Sequence, residues 1–257
     1  MTRQFTLEYA ALFDGILPAL AKLGLPLPLG GTSNHFRRCE LERAGAWDPF
    51  NVTEDADLGM RLARLQKRVA MLDSVTWEEA PDTIAAWFAQ RTRWIKGWMQ
   101  TYLVHMRYPV QLWRELGLWQ FLGFQLIFGG LILSALAHPY FYAAVLMRVL
   151  DGTLLKWPVD GLEALLWWTC CFNVVASYVS SIALVALAVA HRGGRLLVRS
   201  ALGLPVYWLV ISLASYKAVV EIIMRPHHWS KTPHKGIGRE TLVWPIDPDG
   251  EGRVSQL

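Results

Sequence analysis

Three carboxylates fall within four positions directly before an amphipathic segment. In NVTEDADLGMRL, residues 51–62, they are Glu54, Asp55 and Asp57. Asn51 and Glu54 have the spacing of a capping box, and acidic residues in the first turn of a helix interact favourably with the helix dipole. A carboxylate fixed in such a turn can also act as a general base. These residues alone leave two interpretations open, an ordinary helix start and a catalytic base.

A second set of residues falls within a predicted long helix, residues 81–107, that begins at a Pro-Asp cap. Gln90, Arg93, Trp94 and Gly97 share one face of it, because their spacing is i, i+3, i+4 and i+7. Arginine binds phosphate oxygens bidentately, and an indole offers a flat apolar face to a sugar ring. An amphipathic helix lying at a membrane interface uses the same residue types, so it is the alternative interpretation.

A glycine turn precedes both sets. LPLPLGGTSNHFRR, residues 25–38, predicts a short apolar strand that runs into a Gly-Gly turn, small polar residues and two arginines. Such a turn can cradle a phosphate or a sugar with its backbone N–H groups, and a plain β-turn has the same composition. The pattern further predicts helices at 8–24, 40–50 and 55–66 and a β-strand ending in acids at 67–81.

The second half of the chain predicts a membrane protein. The whole sequence is 53% hydrophobic and contains 13 Trp. Three apolar runs are long enough to cross a hydrocarbon core of about 30 Å: 118–137, 162–190 and 201–224. A shorter run at 139–147 is a candidate fourth span, and counting 139–155 as a span would return the basic tail to the cytosol.

Charged residues inside and beside these runs also carry information. Lys217 and Glu221 lie four residues apart in the last run, a spacing at which they can pair. Basic segments at 105–114, 191–199 and 225–239 flank the runs and produce the net charge of +4. Beside membrane spans, such segments favour attraction to anionic lipid over nucleic-acid binding.

The two motifs together resemble family 2 glycosyltransferases, especially the membrane-embedded members related to cellulose and hyaluronan synthases. Those enzymes carry a Thr-Glu-Asp motif, then Gln-x-x-Arg-Trp on an interfacial helix, then transmembrane helices. Here Thr53-Glu54-Asp55 and Gln90-Arg91-Thr92-Arg93-Trp94 follow LGGTSNHFRR and precede the apolar runs, in that order. The close resemblance covers residues 5–107, and the membrane region agrees in type.

The resemblance implies a catalytic role for the acidic motif. Asp55 would be the general base that deprotonates the acceptor hydroxyl as this attacks the anomeric carbon of a nucleotide-sugar, with inversion. Its neighbours Glu54 and Asp57 would tune its pKa.

Binding roles are implied for the other motifs. Arg93, helped by Gln90, would hold the departing diphosphate, and Trp94 would form the floor of the acceptor site. The glycine turn would line the acceptor or donor pocket with four residues: Gly30, Gly31, Thr32 and Ser33.

The implied fold is an α/β partial GT-A (Rossmann-like) half-domain followed by an α-helical transmembrane bundle of three to four helices. Residues 1–108 would be the C-terminal half of the catalytic domain, ending in an interfacial helix. Residues 109–225 would hold the transmembrane helices. Residues 226–257 would form a basic and then Pro- and Gly-rich tail on the cytosolic side.

A complete domain of this kind holds Mg²⁺ or Mn²⁺ on the donor diphosphate through an Asp-x-Asp pair, so a divalent cation is expected for the complete enzyme. No such pair precedes Asp55 in this sequence. Asp247 and Asp249 form one in the tail, where a solvated turn is expected. The tail histidines between 227 and 234 lack nearby acids or cysteines, which disfavours a metal site. We therefore expect no metal ligands in this chain.

These features predict a membrane-bound inverting glycosyltransferase of cell-envelope or extracellular polysaccharide synthesis, present here without its donor-binding half. Its expected partners are a nucleotide-sugar such as a UDP-sugar, a saccharide or lipid-linked acceptor, the plasma-membrane bilayer and a polypeptide that supplies the N-terminal half. Nucleic acid is not expected, and the catalytic part would face the cytosol. The alternative is a non-catalytic membrane anchor or interaction module derived from such an enzyme.

Overall fold

Every regular element in the described part of the chain is helical. The structure, a computed structural model, describes residues 2–76, 78–81, 83–154, 156, 161–191 and 195–226. In chain order the α-helices are α1 Thr2–Ala10, α2 Leu17–Lys22, α3 Arg38–Arg43, α4 Glu54–Arg64, α5 Ile84–His105, α6 Pro109–Phe124, α7 Gly130–Leu150, α8 Gly161–His191 and α9 Leu204–Met224. The remaining helical segments are π-helical at Ala11–Ile16 and Gln125–Gly129 and 3-10 at Arg195–Gly203.

The predicted α/β half-domain is wrong for the described residues, which contain no strand. The segments predicted as strands, 25–29 and 67–81, lack regular secondary structure wherever they are described. A strand needs a neighbour that pairs with its backbone N–H and C=O groups, and neither segment has one there. Their apolar side chains are instead buried against helices: Leu27 lies in a cluster with Leu17 and Leu20 around α2, and Val69 packs on the same cluster.

The helices predicted for the two motifs are confirmed. Helix α4 lies where the hydrophobic periodicity predicted it, and it buries Leu58, Met60 and Leu62. Helix α5 is also present, but its N-cap is Thr83, whose Oγ1 accepts a hydrogen bond from the Ala86 amide at 3.1 Å. Threonine suits this position because its side chain satisfies one of the free N–H groups of the first turn. The predicted Pro-Asp cap is therefore wrong.

Three helical runs are long and apolar enough, by length and composition, to cross a membrane: Pro109–Leu150, Gly161–Ala188 and Arg199–Met224. The candidate fourth span is not a separate helix, because α7 continues through Pro139. In α9, Lys217 Nζ lies 3.7 Å from Glu221 Oε1, as their spacing predicted. The tail residues 227–257, including Asp247 and Asp249, lie outside the described residues.

Helix α5 is held against the last apolar helix. Ile95 and Met99 of α5 pack against Ala214 and Ala218 of α9, and all four side chains are buried. Small residues allow two helix backbones to approach closely, as they do in membrane helix pairs. This packing fixes the direction in which the motif face of α5 points.

Candidate active site

Helix α4 begins directly at the two adjacent carboxylates. Its N-cap is Thr53, so the predicted capping box of Asn51 and Glu54 is wrong. Asn51 lies two residues before the cap, where its Oδ1 accepts a hydrogen bond from the Thr53 amide at 3.0 Å. Its Nδ2 donates to Thr101 Oγ1 on α5, also at 3.0 Å. Asn51 therefore connects the approach to α4 with α5.

Asp55 lies in the first turn of α4 and is only partly exposed. Burial raises the pKa of Asp55 from 3.8 to about 6, and the negative charge of Glu54 adds to the increase. The Ala56 amide, which donates to Asp55 Oδ1 at 2.8 Å, and the positive charge of Arg93 act in the opposite direction. A carboxylate with this pKa is ionised at neutral pH and still accepts a proton more readily than an ordinary aspartate.

Asp57 is directed toward different partners. It is buried, and it accepts hydrogen bonds from Arg61 Nε at 2.7 Å and His105 Nε2 at 3.0 Å. Burial alone would raise the pKa of Asp57, but the hydrogen bond from His105 and the positive charge of Arg61 bring it below the ordinary value. Asp57 therefore ties α4 to the end of α5, and of the two predicted tuning residues it is Glu54 that acts on Asp55.

The two motifs meet where α5 crosses the start of α4. A Cβ atom added at Gly97 would lie 2.3 Å from Thr53 Oγ1 and 2.5 Å from Thr53 Cγ2. Real side chains do not approach one another so closely, so only glycine at this position allows the observed crossing. Gly97 thus sets the distance between the Thr-Glu-Asp turn and the Gln-x-x-Arg-Trp face.

Gln90 and Arg93 lie on consecutive turns of α5. Gln90 is buried, and its Oε1 accepts no hydrogen bond from the described residues. Burial lowers the pKa of Arg93, while the negative charges of Glu54 and Asp55 oppose the decrease. Arg93 therefore lies within electrostatic range of both α4 carboxylates, and as a guanidinium it keeps its charge at neutral pH.

The glycine turn borders Asp55. A Cβ atom added at Gly31 would lie 3.4 Å from Asp55 Oδ2. On the other side of the turn, a Cβ atom added at Gly30 would lie 3.0 Å from Phe13 Cζ in the π-helical segment. The turn is therefore packed between the N-terminal helical segment and the carboxylate.

Glu78 joins this turn to the N-terminal helix, a contact that the sequence did not predict. It accepts a hydrogen bond from Thr32 Oγ1 at 2.6 Å and another from the Tyr9 hydroxyl. Burial, and then the negative charge of Glu78, raise the pKa of Tyr9 well above its ordinary value. Beside them, Ser33 Oγ lies 2.7 Å from Thr76 Oγ1. The acids at the end of 67–81 were visible in the sequence, but their partners were not.

Trp94 packs on the N-terminal helix. Its ring centroid lies 6.1 Å from that of Tyr9 and 6.4 Å from that of Phe5. The guanidinium carbon of Arg91 lies 4.7 Å from the Trp94 centroid, close enough for a cation–π interaction. Arg91 itself pairs with Glu8, with 2.5 Å between Nη2 and Oε2. These contacts fix the plane of the indole, which any stacking surface requires.

Comparison with known proteins identifies the family. The family model described as "Glycosyl transferase family group 2" matches residues 2–220. This chain is a member of that family. Its matched region includes the glycine turn, both motifs and the greater part of the apolar helices, so the resemblance drawn from the two motifs is confirmed.

Several curated proteins resemble this family 2 member over short segments. The probable glycosyltransferase YdaM of Bacillus subtilis is 37% identical over 68 residues, which are 26% of this chain and 16% of that protein. The beta-monoglucosyldiacylglycerol synthase of Synechocystis is 33% identical over 99 residues, 37% of this chain and 21% of the relative. The poly-beta-1,6-N-acetyl-D-glucosamine synthase of Staphylococcus epidermidis is 27% identical over 93 residues, which are 36% of this chain and 23% of that protein. The chain thus spans less than a quarter of the length of each. No solved structure matches it significantly.

Family 2 glycosyltransferases commonly use divalent cations. Within the described ranges, no group of three His, Cys, Asp or Glu side chains comes together to hold a metal ion. No step below is assigned to a metal ion.

Proposed function

We propose that this family 2 chain provides the acceptor-activating and leaving-group side of an inverting glycosyltransferase. The donor would be a nucleotide-sugar, with a UDP-sugar as the first candidate. The observation that carries the proposal is the setting of Asp55, a partly buried carboxylate with a pKa near 6 that borders Gly31 and lies in the field of Arg93. Family membership supports glycosyl transfer as the reaction class.

In the proposed reaction, Asp55 accepts the proton of an acceptor hydroxyl while the hydroxyl oxygen attacks the anomeric carbon of the donor. A C–O bond forms on one face of the sugar as the bond to the diphosphate oxygen breaks on the other, so the configuration inverts. The Ala56 amide already occupies Asp55 Oδ1. Oδ2, which faces the glycine turn at Gly31, is therefore the oxygen that would take the proton.

The leaving diphosphate carries the charge that develops in this step. A guanidinium is suited to it, because it forms paired, charge-assisted hydrogen bonds with phosphate oxygens. We assign this role to Arg93, which α5 holds close to the carboxylates of α4. Gln90 would assist from the preceding turn, where its side-chain NH2 group can donate to a phosphate oxygen.

The acceptor would lie over Trp94, with the glycine turn at its side. The indole plane is fixed by Phe5, Tyr9 and Arg91. Gly31, Thr32 and Ser33 would line the same pocket, and the hydrogen bond from Thr32 to Glu78 would hold the turn in place.

The names of two relatives support the proposed acceptor class. One is named as a synthase of a glucosylated diacylglycerol and another as a synthase of a polysaccharide. The proposal therefore covers lipid-linked and saccharide acceptors in cell-envelope synthesis. With the three apolar helices in the plasma membrane, the catalytic residues would face the cytosol, where nucleotide-sugars are available.

The decisive variant is Asp55→Asn, tested in membranes in the native polypeptide that carries this chain. Asparagine keeps the acceptor for the Ala56 amide but cannot act as a base, so the transfer rate is expected to fall by about 10²- to 10⁴-fold. Asp73→Asn removes the same charge from an exposed position and serves as the matched control. The measurement is nucleoside diphosphate release over a panel of nucleotide-sugars.

The outcomes of this experiment separate the two candidate functions. Transfer by Asp55→Asn at a rate near that of the wild type would contradict the assignment of the base. A folded native polypeptide that transfers no sugar from any donor of the panel would favour the membrane anchor or interaction module instead.

A further inference from the structure

The first apolar run is too long to be a simple span. Pro109–Leu150 contains 42 residues, which is about 63 Å of helix and roughly twice the thickness of the hydrocarbon core of a bilayer. Gly117 interrupts it with φ 73° and ψ 168°, a conformation outside the helical region. The first two turns, 109–116, are therefore a separate segment that precedes the span.

The inner face of this segment is fixed to the candidate active site. Leu112 and Leu116 are buried in a cluster with Ala56 and Met60 of α4. Between them, Glu115 accepts a hydrogen bond from Arg64 Nε at 2.5 Å, so the only acid of segment 109–116 already has a cationic partner.

The opposite face is exposed and both apolar and basic. We call it the outer face. It comprises exposed residues of the last turn of α5, of the turn after it and of 109–116: Leu103, Val104, Arg107, Tyr108, Val110, Trp113 and Arg114. Its five apolar or aromatic side chains are between 49% and 66% exposed. An exposed apolar surface that combines Trp, Tyr and Arg is typical of helices lying in a membrane interface.

A shallow, open cleft of about 540 Å³ lies in the outer face. It is lined by Arg107, Tyr108, Pro109, Val110, Gln111 and Arg114. Neither Arg107 nor Arg114 forms a salt bridge with an acid among the described residues. Gln111 donates to Glu115 Oε1 at 2.7 Å, which turns its amide toward the inner side. The cleft therefore presents two guanidinium groups beside an apolar rim.

We infer that the outer face docks on an anionic membrane leaflet and that its cleft receives the phosphate of an anionic phospholipid headgroup. Two observations select this partner. The cleft is positively charged and complements a phosphate, and the outer face is continuous along the chain with the first candidate membrane-spanning helix. A bilayer crossed by that helix would lie beside the outer face. The inference concerns lipid binding and does not depend on the proposed transfer chemistry.

The test measures bound lipid directly. The native polypeptide is reconstituted into nanodiscs of phosphatidylcholine containing a minor fraction of phosphatidylglycerol, and native mass spectrometry counts the lipids retained after extraction. The wild type is expected to retain phosphatidylglycerol in preference to phosphatidylcholine. Arg107→Gln combined with Arg114→Gln should weaken phosphatidylglycerol retention by roughly tenfold or more, because each arginine near an anionic surface contributes several-fold in affinity.

Matched variants separate local binding from net charge. Arg3→Gln combined with Arg68→Gln removes the same charge from two other exposed arginines and should leave retention unchanged. Arg107→Lys with Arg114→Lys keeps the charge and should retain most of the binding. Equal retention of phosphatidylglycerol by the wild type and the Arg107→Gln/Arg114→Gln protein would overturn the inference, as would equal retention of both lipids by the wild type.

A measurement on the wild type alone keeps the inference testable if the glutamine pair does not fold. Binding through exposed arginines is screened by salt, so phosphatidylglycerol retention should decrease as ionic strength rises during extraction. Retention that is independent of ionic strength would contradict docking through Arg107 and Arg114.

Discussion

Gly97 of α5 and Thr53 at the start of α4 are in such close contact that no side chain can stand between them. The Cβ atom of any other residue at 97 would lie 2.3 Å from Thr53 Oγ1. Thr53 is followed directly by the two carboxylates, and Gly97 follows Arg93 by one helical turn. This contact therefore determines how far Asp55, the proposed base, lies from Arg93, the residue proposed to bind the diphosphate.

Gly97→Ala is expected to push α5 away from α4. The backbone shift that removes the overlap should lower the unfolding free energy by about 1–3 kcal/mol. Because α4 and α5 carry the proposed reacting groups, the transfer rate should fall by more than this loss of stability alone would cause. Gly161→Ala is the control, since a Cβ atom at the first residue of α8 would meet nothing within 4 Å. Nucleoside diphosphate release and apparent unfolding temperature are compared. A Gly97→Ala protein with wild-type transfer would show that the contact has no bearing on the site.

Asp55→Asn is expected to make the protein more stable at neutral and alkaline pH. The folded protein keeps the proton of Asp55 up to about pH 6, whereas the unfolded chain releases it near pH 3.8, the ordinary pKa. Stability therefore falls as the pH rises through this range, and the ionised Asp55 destabilises the folded protein above it. The rise of the Asp55 pKa limits the gain in unfolding free energy to roughly 3 kcal/mol, and the partial exposure of the side chain makes the gain smaller. Apparent unfolding temperatures in detergent should show a gain at about pH 8 that disappears near pH 4. Asp73→Asn, at an exposed position, is the control for the loss of one carboxylate.

Arg91→Met is expected to destabilise the packing of α1 on α5. Arg91 Nη1 donates to Glu8 Oε1 at 2.6 Å, and Tyr207 of α9 also donates to Glu8. Removing the cation leaves a partly buried carboxylate without its counter-charge, at a cost of about 3 kcal/mol. The double variant Glu8→Gln/Arg91→Met should recover part of this loss, because no unpaired charge remains. Strict additivity of the two single effects would argue against a coupled pair.

His105→Leu is expected to loosen the start of α4 from the end of α5. Arg64 Nη1 lies 3.1 Å from His105 Nδ1, and because a guanidinium only donates, Nδ1 accepts and Nε2 carries the proton given to Asp57. Loss of that bond should lower the unfolding free energy by about 1–3 kcal/mol.

The pH dependence of the His105→Leu effect follows from Asp57. Its pKa in the folded protein lies below the ordinary 3.8, so its stabilising contribution is present above pH 3.8 and is lost as the pH falls through the lowered value. The difference from the wild type should therefore shrink in strong acid. His105→Gln, which can still donate to Asp57, is the matched control, and a loss that does not change with pH would contradict the role of this hydrogen bond.

The helical elements of the site could be predicted from the sequence because their signals are local. The apolar periodicity of 55–66 and the length of 81–107 both correspond to helices in the structure. The predictions of strands at 25–29 and 67–81 were wrong because apolar alternation shows that a segment is buried on one side but not whether a neighbouring strand pairs with it. Leu27 and Val69 are buried against helices instead.

Contacts between distant segments account for what the sequence did not reveal. The motif face of α5 was predictable from its spacing, but Arg91, within the same motif, turns away to Glu8 of α1. The link between Glu78 and Tyr9 joins segments that have no pattern in common. Such pairs depend on how helices pack, which a single sequence does not specify.

The most direct test of the central claim is the pH dependence of kcat/KM for the wild type and for Glu54→Gln. If Asp55 is the base, the rate should rise with pH through an inflection near 6, the pKa that burial and the neighbouring charge produce. Because the negative charge of Glu54 raises that pKa, Glu54→Gln should move the inflection to lower pH. An inflection that stays at the same pH in Glu54→Gln, or a wild-type rate that shows none in this range, would contradict the assignment of Asp55 as the general base.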